Sequence, residues 1–142
     1  MAVAQILKSK GRDIVSLPPQ RTIAEAAKMM AERRIGAVMI TAPDGSLAGI
    51  LSERDVVRAL AVKGAEALDH ALSLHMTTKV TTGTENDSIQ AIMELMTIGK
   101  FRHLPIVEAG KLVGIISIGD VVKHRLAEIE AEAQAMREYI TA

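Results

Sequence analysis

The chain has no cysteine and no tryptophan, and Phe101 and Tyr139 are its only aromatic residues of the Phe/Tyr/Trp class in 142 positions. Without thiols there is no thiol nucleophile, no disulfide and no thiolate metal site, and the redox compartment is left open. So little aromatic surface leaves almost nothing on which nucleic-acid bases could stack. An excess of one charge is missing too, with 17 Lys+Arg against 17 Asp+Glu, so no net field draws the chain to a phosphate backbone or an acidic membrane. Nucleic acid is therefore not an expected ligand. No apolar run approaches the roughly 20 residues that span a bilayer. The short apolar stretch Met1 to Leu7 is followed, not preceded, by Lys8 and Lys10, the reverse of a secretory signal, and a cytoplasmic protein is expected. Neither a Walker-type Gly-rich loop nor a Ser/His/Asp signature occurs, so no catalytic residue is nominated and the chain is not read as an enzyme. His70 and His75, with Glu66 and Asp69 nearby, stand five apart and not the four of one helix face. They are read as solvated linker histidines, and no metal site is expected.

What is present is an ordinary globular composition, 49% hydrophobic and 24% charged, that contains itself twice. TIAEAAKMMAERRIGAVMI from Thr22 aligns without gaps on SIQAIMELMTIGKFRHLPI from Ser88 at an offset of 66 residues. Ile23 then falls on Ile89, Met30 on Met96, Ile35 on Phe101 and Ile40 on Ile106. One deletion later the offset is 65, and Gly49 to Val57 falls on Gly114 to Val122 with six of nine positions identical. The repeats run over residues 10–63 and 76–127, with 64–75 as linker and 128–142 as a helical tail.

Each repeat predicts the order β-α-β-β-α. An extended piece (Asp13 to Leu17; Lys79 to Thr82) leads to Thr22 or Ser88, residue types that cap helices. Apolar residues at three-to-four spacing mark one helix face. Two β-rich runs follow in each, Ala37 to Thr41 with Leu47 to Leu51 and His103 to Val107 with Leu112 to Ile116, joined at Pro43-Asp44-Gly45 and Ala109-Gly110. A second helix begins near Ser52 or Ser117. A fifty-residue unit is marginal alone, so the two should share a core. From Leu126 the chain continues in strong helix formers; this tail is read equally as a dimer contact or as a solvated helix on its own domain.

Two features bear on recognition. Gly-φ-φ-Ser-x-x-Asp, with φ apolar, occurs at Gly49 to Asp55 and at Gly114 to Asp120. It reads either as a capping box or as a ligand corner. Against the plain cap stand the use of Asp, where a capping box prefers Glu, and the glycine three residues before Ser, where a missing side chain would let a ligand lie close to the strand. As a ligand corner, Asp55 and Asp120 would accept the two ribose hydroxyls, while Ser52, Ser117 and the helix N-terminus meet a phosphate. The second feature is Phe101-Arg102-His103-Leu104-Pro105, which brings a cation and an imidazole to an apolar strand; Arg102 and His103 point opposite ways if extended. Arg102 fits a phosphate, and His103 is either a phosphate contact or a half-buried histidine. The first repeat has Gly36 and Ala37 there, so the two copies cannot be equivalent.

With FRHLPIVEAGKLVGIISIGDVV and IGAVMITAPDGSLAGILSERDVV in tandem, the chain resembles the CBS-domain family from about Lys10 to Leu126. The resemblance implies an α+β fold in which two tandem β-α-β-β-α repeats pack through their sheets into one pseudosymmetric module, here with a C-terminal helical extension. It implies two clefts able to take AMP, ADP, ATP, NAD or S-adenosylmethionine, and flat homodimers. By the family pattern one cleft would use Ser117, Asp120, Ile14, Val15, Ile35 and Gly36, with Arg102 or His103 toward phosphate. The other would use Ser52, Arg54, Asp55, Val80 and Thr81. Ile14, Val80, Ile50 and Ile115 would supply apolar walls for adenine, and Arg54 reads equally as a surface residue. Two functions fit these features: a sensor of an adenosine-containing nucleotide without catalysis, and a ligand-independent dimerisation scaffold that regulates an unidentified protein partner.

Overall fold

The computed structural model describes residues 2–141. Its elements run α1 (Val3–Lys10), β1 (Ser16–Leu17), α2 (Ile23–Arg33), β2 (Ala37–Thr41), β3 (Leu47–Ser52), α3 (Glu53–Lys63), two 3-10 turns (Gly64–Asp69 and Leu72–Leu74), α4 (Ile89–Gly99), β4 (His103–Glu108), β5 (Lys111–Ser117) and α5 (Ile118–Thr141). The expected order holds in the first repeat and, but for its leading strand, in the second, and the tail continues the last helix without a break. Thr22 Oγ1 accepts from Glu25 N (3.2 Å) and Ser88 Oγ from Ala91 N (3.1 Å), so both nominated caps form. α2 and α4 both end on a left-handed residue, Arg34 (φ 54) and Lys100 (φ 55). Ala109 (φ 49) and Gly110 (φ 76) both take positive φ, which a two-residue hairpin turn of the primed type requires.

The chain forms two compact units, and neither is a contiguous repeat. One comprises Asp13–Thr81 with the hairpin tip Glu108–Val113. In its sheet β1 runs parallel to β2, pairing Ser16 with Met39, and β2 pairs antiparallel with β3 from Ala37–Ser52 through Ile40–Gly49. One face of α2 (Ile23, Ala26, Met30) closes on Leu17, Val38, Ile40, Leu51 and Leu72 as the core. Each such aliphatic side chain removed from water stabilises the fold by about 1.5–3 kcal/mol before entropy is counted.

The segment expected to be a linker belongs to that core. Leu72 and Ala67 are buried, Leu72 N donates to Arg21 O (2.7 Å), and Thr77 exchanges two backbone bonds with Ile50 at the edge of β3. Nor are the linker histidines two solvated side chains: His70 Nδ1 lies 2.9 Å from His75 Nε2, with ring planes within 2° and centroids 5.1 Å apart. That centroid separation at that contact distance places the rings edge to edge in one plane, which is an N–H···N bond and not a face-to-face stack. Among the described residues no group of three or more His, Asp or Glu is arranged to hold a metal ion.

The other unit comprises the N-terminal segment through Arg12, Thr82–Val107 and the chain from Gly114. The apolar N-terminus is helix α1, which the sequence reading did not anticipate. Val3, Ile6 and Leu7 are fully buried, and Val3 N and Ala4 N donate to Asp87 O and Glu85 O (both 2.9 Å). The expected strand at Lys79 to Thr82 reduces to a parallel bridge between Gly83 and Ile106, one residue further on, with Gly83 N donating to Pro105 O (2.9 Å). No helix is long and apolar enough to cross a membrane among the described residues.

Candidate functional site

The Ser-x-x-Asp motif sits in each unit where a β-strand runs directly into a helix. The turn is fixed by a bond repeated in both copies: Glu53 N donates to Gly36 O (3.0 Å), and Ile118 N donates to Arg102 O (2.8 Å). Gly36 and Arg102 are thereby placed beside Ser52 and Ser117 through their backbones, whatever their side chains do.

Both motifs are closed capping boxes. Asp55 N donates to Ser52 Oγ (3.2 Å) and Ser52 N to Asp55 Oδ2 (2.9 Å); Asp120 N donates to Ser117 Oγ (3.1 Å) and Ser117 N to Asp120 Oδ2 (2.9 Å). The use of Asp where a capping box prefers Glu does not count against the cap, since the carboxylate returns to the cap N–H in both copies. The glycines have a protein explanation as well. A Cβ on Gly49 would meet Thr77 O at 2.8 Å and Met76 Sδ at 2.9 Å, and one on Gly114 would meet Leu7 Cδ2 at 2.6 Å. Close approach of chain, not of ligand, accounts for the missing side chains.

The two carboxylates differ in their remaining partners. Asp55 is buried, with Thr77 Oγ1 donating at 3.3 Å to Oδ1 and Arg58 at 3.5 Å from the same oxygen. Asp120 receives Lys10 Nζ at 2.6 Å on Oδ2, and the same ammonium donates to Ile115 O (3.0 Å). Burial pushes the Asp120 carboxyl up, but the Lys10 hydrogen bond, the two Ser117 bonds and the Lys10 charge together hold it below its ordinary 3.8. The Lys10 ammonium and the Ser117 amide both fall on Oδ2, so neither engages Oδ1 of Asp120. Lys10 carried no signal as a site residue, because its place on Asp120 depends on the unanticipated helix α1.

The other nominated residues fall out as follows. In the Gly114 unit, Ile115 is half-buried beside Ser117, Arg102 is exposed just before β4, and His103 opens β4 half-buried. In the Asp13–Thr81 unit, Ile14, Val15, Ile35, Gly36 and Val80 are half-buried, while Arg54 and Thr81 are exposed, Arg54 on the first turn of α3. Val15 contributes its carbonyl to Met39 N (3.2 Å) just ahead of β1. A groove of about 370 Å³ between α2 and α3 is lined by Ile35, Met30, Val56 and Val57 with Arg34 and Glu53, but by neither Ser52 nor Asp55. It is not the ligand corner.

The CBS domain family model matches residues 3–62 and 71–127. The mitochondrial CBS domain-containing protein CBSX3 of Arabidopsis thaliana is 31% identical over 146 aligned positions, which cover 97% of this chain and 71% of that protein. Among solved structures, a CBS-domain-containing protein of Agrobacterium tumefaciens is 47% identical with a TM-score of 0.82, covering 87% of this chain and 92% of that one. A CBS domain protein of Pyrobaculum aerophilum, solved in complex with AMP, is 32% identical with a TM-score of 0.75 over 84% and 89% of the two chains. The chain belongs to the CBS-domain family, of which it carries two tandem copies.

Proposed function

We propose that the chain is a non-catalytic regulatory module that binds an adenosine-containing nucleotide at its Ser-x-x-Asp corners. One observation carries the reading: the capping amide of Ser117 and the Lys10 ammonium converge on Oδ2 of Asp120, so the corner caps a helix with one oxygen and can offer the other to a ribose hydroxyl. The first-turn N–H groups of α5 with Ser117 Oγ suit a phosphate, as do Arg102 and His103 on the neighbouring β4 approach. Ser52, Arg54 and Asp55, with Val80 and Thr81 of the same unit, make a second candidate corner, in which Thr77 and Arg58 already stand on Asp55 Oδ1. The AMP bound by the Pyrobaculum relative supports adenylate as the ligand class, with AMP or ATP ahead of NAD and S-adenosylmethionine. The protein works in the cytoplasm as a homodimer and passes the signal to a protein partner.

A second reading, the ligand-independent scaffold, is favoured by the filled space over Gly49 and Gly114. Thermal unfolding of ligand-stripped protein with AMP, ATP, NAD and S-adenosylmethionine separates the two. A hundredfold excess over the dissociation constant stabilises by about 2.7 kcal/mol, or roughly 5–10 °C for a chain of this size. Asp120→Ala also weakens a cap, so each variant is compared with its own ligand-free midpoint. A shift in the parent chain that disappears in the variant supports the sensor, and no shift with any of the four supports the scaffold.

A further inference from the structure

We infer that the C-terminal half of α5 is one strand of a parallel, two-fold coiled coil with a second copy of this chain. Val122, Leu126, Ile129, Ala133, Met136 and Ile140 follow one another at spacings of four, three, four, three and four. The pattern closes every seven residues, Val122–Ile129–Met136 interleaved with Leu126–Ala133–Ile140, which is the heptad of a coiled-coil seam. The seam is not spent on the protein's own core. Val122, Leu126, Ile129, Met136 and Ile140 are 45%, 56%, 45%, 59% and 74% exposed, and Val121 is the buried residue of α5. A solvated helix would have no reason to keep such a stripe for three heptads, and a helix lying on its own domain would have covered it.

Charges beside the seam decide what covers it. Taking Leu126, Ala133 and Ile140 as the a positions and Val122, Ile129 and Met136 as d, Arg125 and Glu132 stand at g, and Lys123, Glu130 and Arg137 at e. In a parallel pair the g residue of one helix faces the e residue five positions on in the other. Arg125 then meets Glu130 of the second copy and Glu132 meets Arg137, each twice by symmetry. In the antiparallel register that matches the same apolar residues, Val122 lies against Ile140 and Leu126 against Met136. Glu130 then faces Glu130, Glu132 faces Glu132 and Lys123 faces Arg137, all like charges. Within one chain Arg125 makes a half-buried contact with Glu128 at 3.4 Å and reaches the exposed Glu132 only at 4.0 Å, a long pair that an intermolecular one can replace. The inference is independent of nucleotide binding.

Sedimentation equilibrium of the full chain tests it, with far-UV circular dichroism to confirm folding. Ile129→Glu changes an exposed position, so the fold is retained while the dimer weakens by at least about tenfold. Arg137→Glu weakens it through a like-charge pair, and adding Glu132→Arg restores it. Met136→Cys reports direction in a chain that has no other thiol. A parallel seam sets the two positions side by side and oxidation cross-links them, whereas the antiparallel register separates them by about ten residues, or ~15 Å along the axis, beyond disulfide reach. A chain that stays monomeric overturns the inference, as does a dimer indifferent to Ile129→Glu or one that never cross-links through Met136→Cys.

Discussion

Asp120 is held in its charged form by a lysine from another element, which makes its contribution to stability dependent on pH. Its folded pKa lies below the ordinary 3.8, so the folded state binds fewer protons than the unfolded chain near that value. The stabilisation is complete above the unfolded value and is lost as pH falls through the folded one. Lys10→Met removes the 2.6 Å partner while keeping an aliphatic stem. Denaturant titrations from neutral to acid pH should show parent and variant well separated at neutral pH and converging as the carboxyl protonates; a constant gap would assign the effect to packing instead. The glycines give a second test at this scale. Gly49→Ala drives a Cβ into the Thr77 carbonyl at 2.8 Å, and backbone in a paired edge cannot step aside, so a loss of about 2–3 kcal/mol is expected. Gly114→Ala meets the end of the Leu7 side chain and should cost less. The Ser-x-x-Asp motif was fully legible as a strand-to-helix corner, since its own residues make the capping bonds. What fills the space beside each glycine was not, because Met76, Thr77 and Leu7 come from elsewhere in the chain.

Elements with a hydrophobic period and a cap were readable from the chain alone. α2 and α4 begin where Thr22 and Ser88 stand, and both hairpins turn at the expected residues. α1 was not readable. It has eight residues, no side-chain cap and no preceding turn signal, and its helicity rests on burying Val3, Ile6 and Leu7. The 70–77 segment escaped for the same reason: Ala71, Leu72, Leu74 and Met76 stand in it without a helix cap or turn signal, and the burial of Leu72 depends on the Arg21 and Ile50 backbones that receive the strap. Leu72→Ala should therefore cost about 2–5 kcal/mol by chemical denaturation, as for a core leucine. A loss below 1 kcal/mol, as at an exposed site, would return the segment to the status of a linker.

At the scale of the molecule, the repeat in the sequence and the compact unit in the fold are different divisions. α1 leads into the first repeat yet packs with the second, while the 70–77 strap leads into the second and packs with the first. The offset of 66 that relates the repeats places Lys10 on Met76, and each sits at the equivalent strand, Lys10 Nζ on Ile115 O and Met76 beside Gly49. The leading segments are thus exchanged between units, which no reading of each repeat by itself could show. Removing residues 1–12 should then injure the distant half of the sequence and not the half it adjoins. Leu7 leaves Gly114, Lys10 leaves Asp120, and the bonds from Val3 and Ala4 to Asp87 and Glu85 are lost. Native-state hydrogen exchange of the shortened chain reads this directly, because amide protection reports local opening segment by segment. Faster exchange is expected through α4 and β5, with protection kept in β2 and β3, whose sheet and core lie within Asp13–Thr81. Loss confined to β2 and β3 would mean that the N-terminal helix serves the repeat it precedes, and the exchange of leading segments would have to be abandoned.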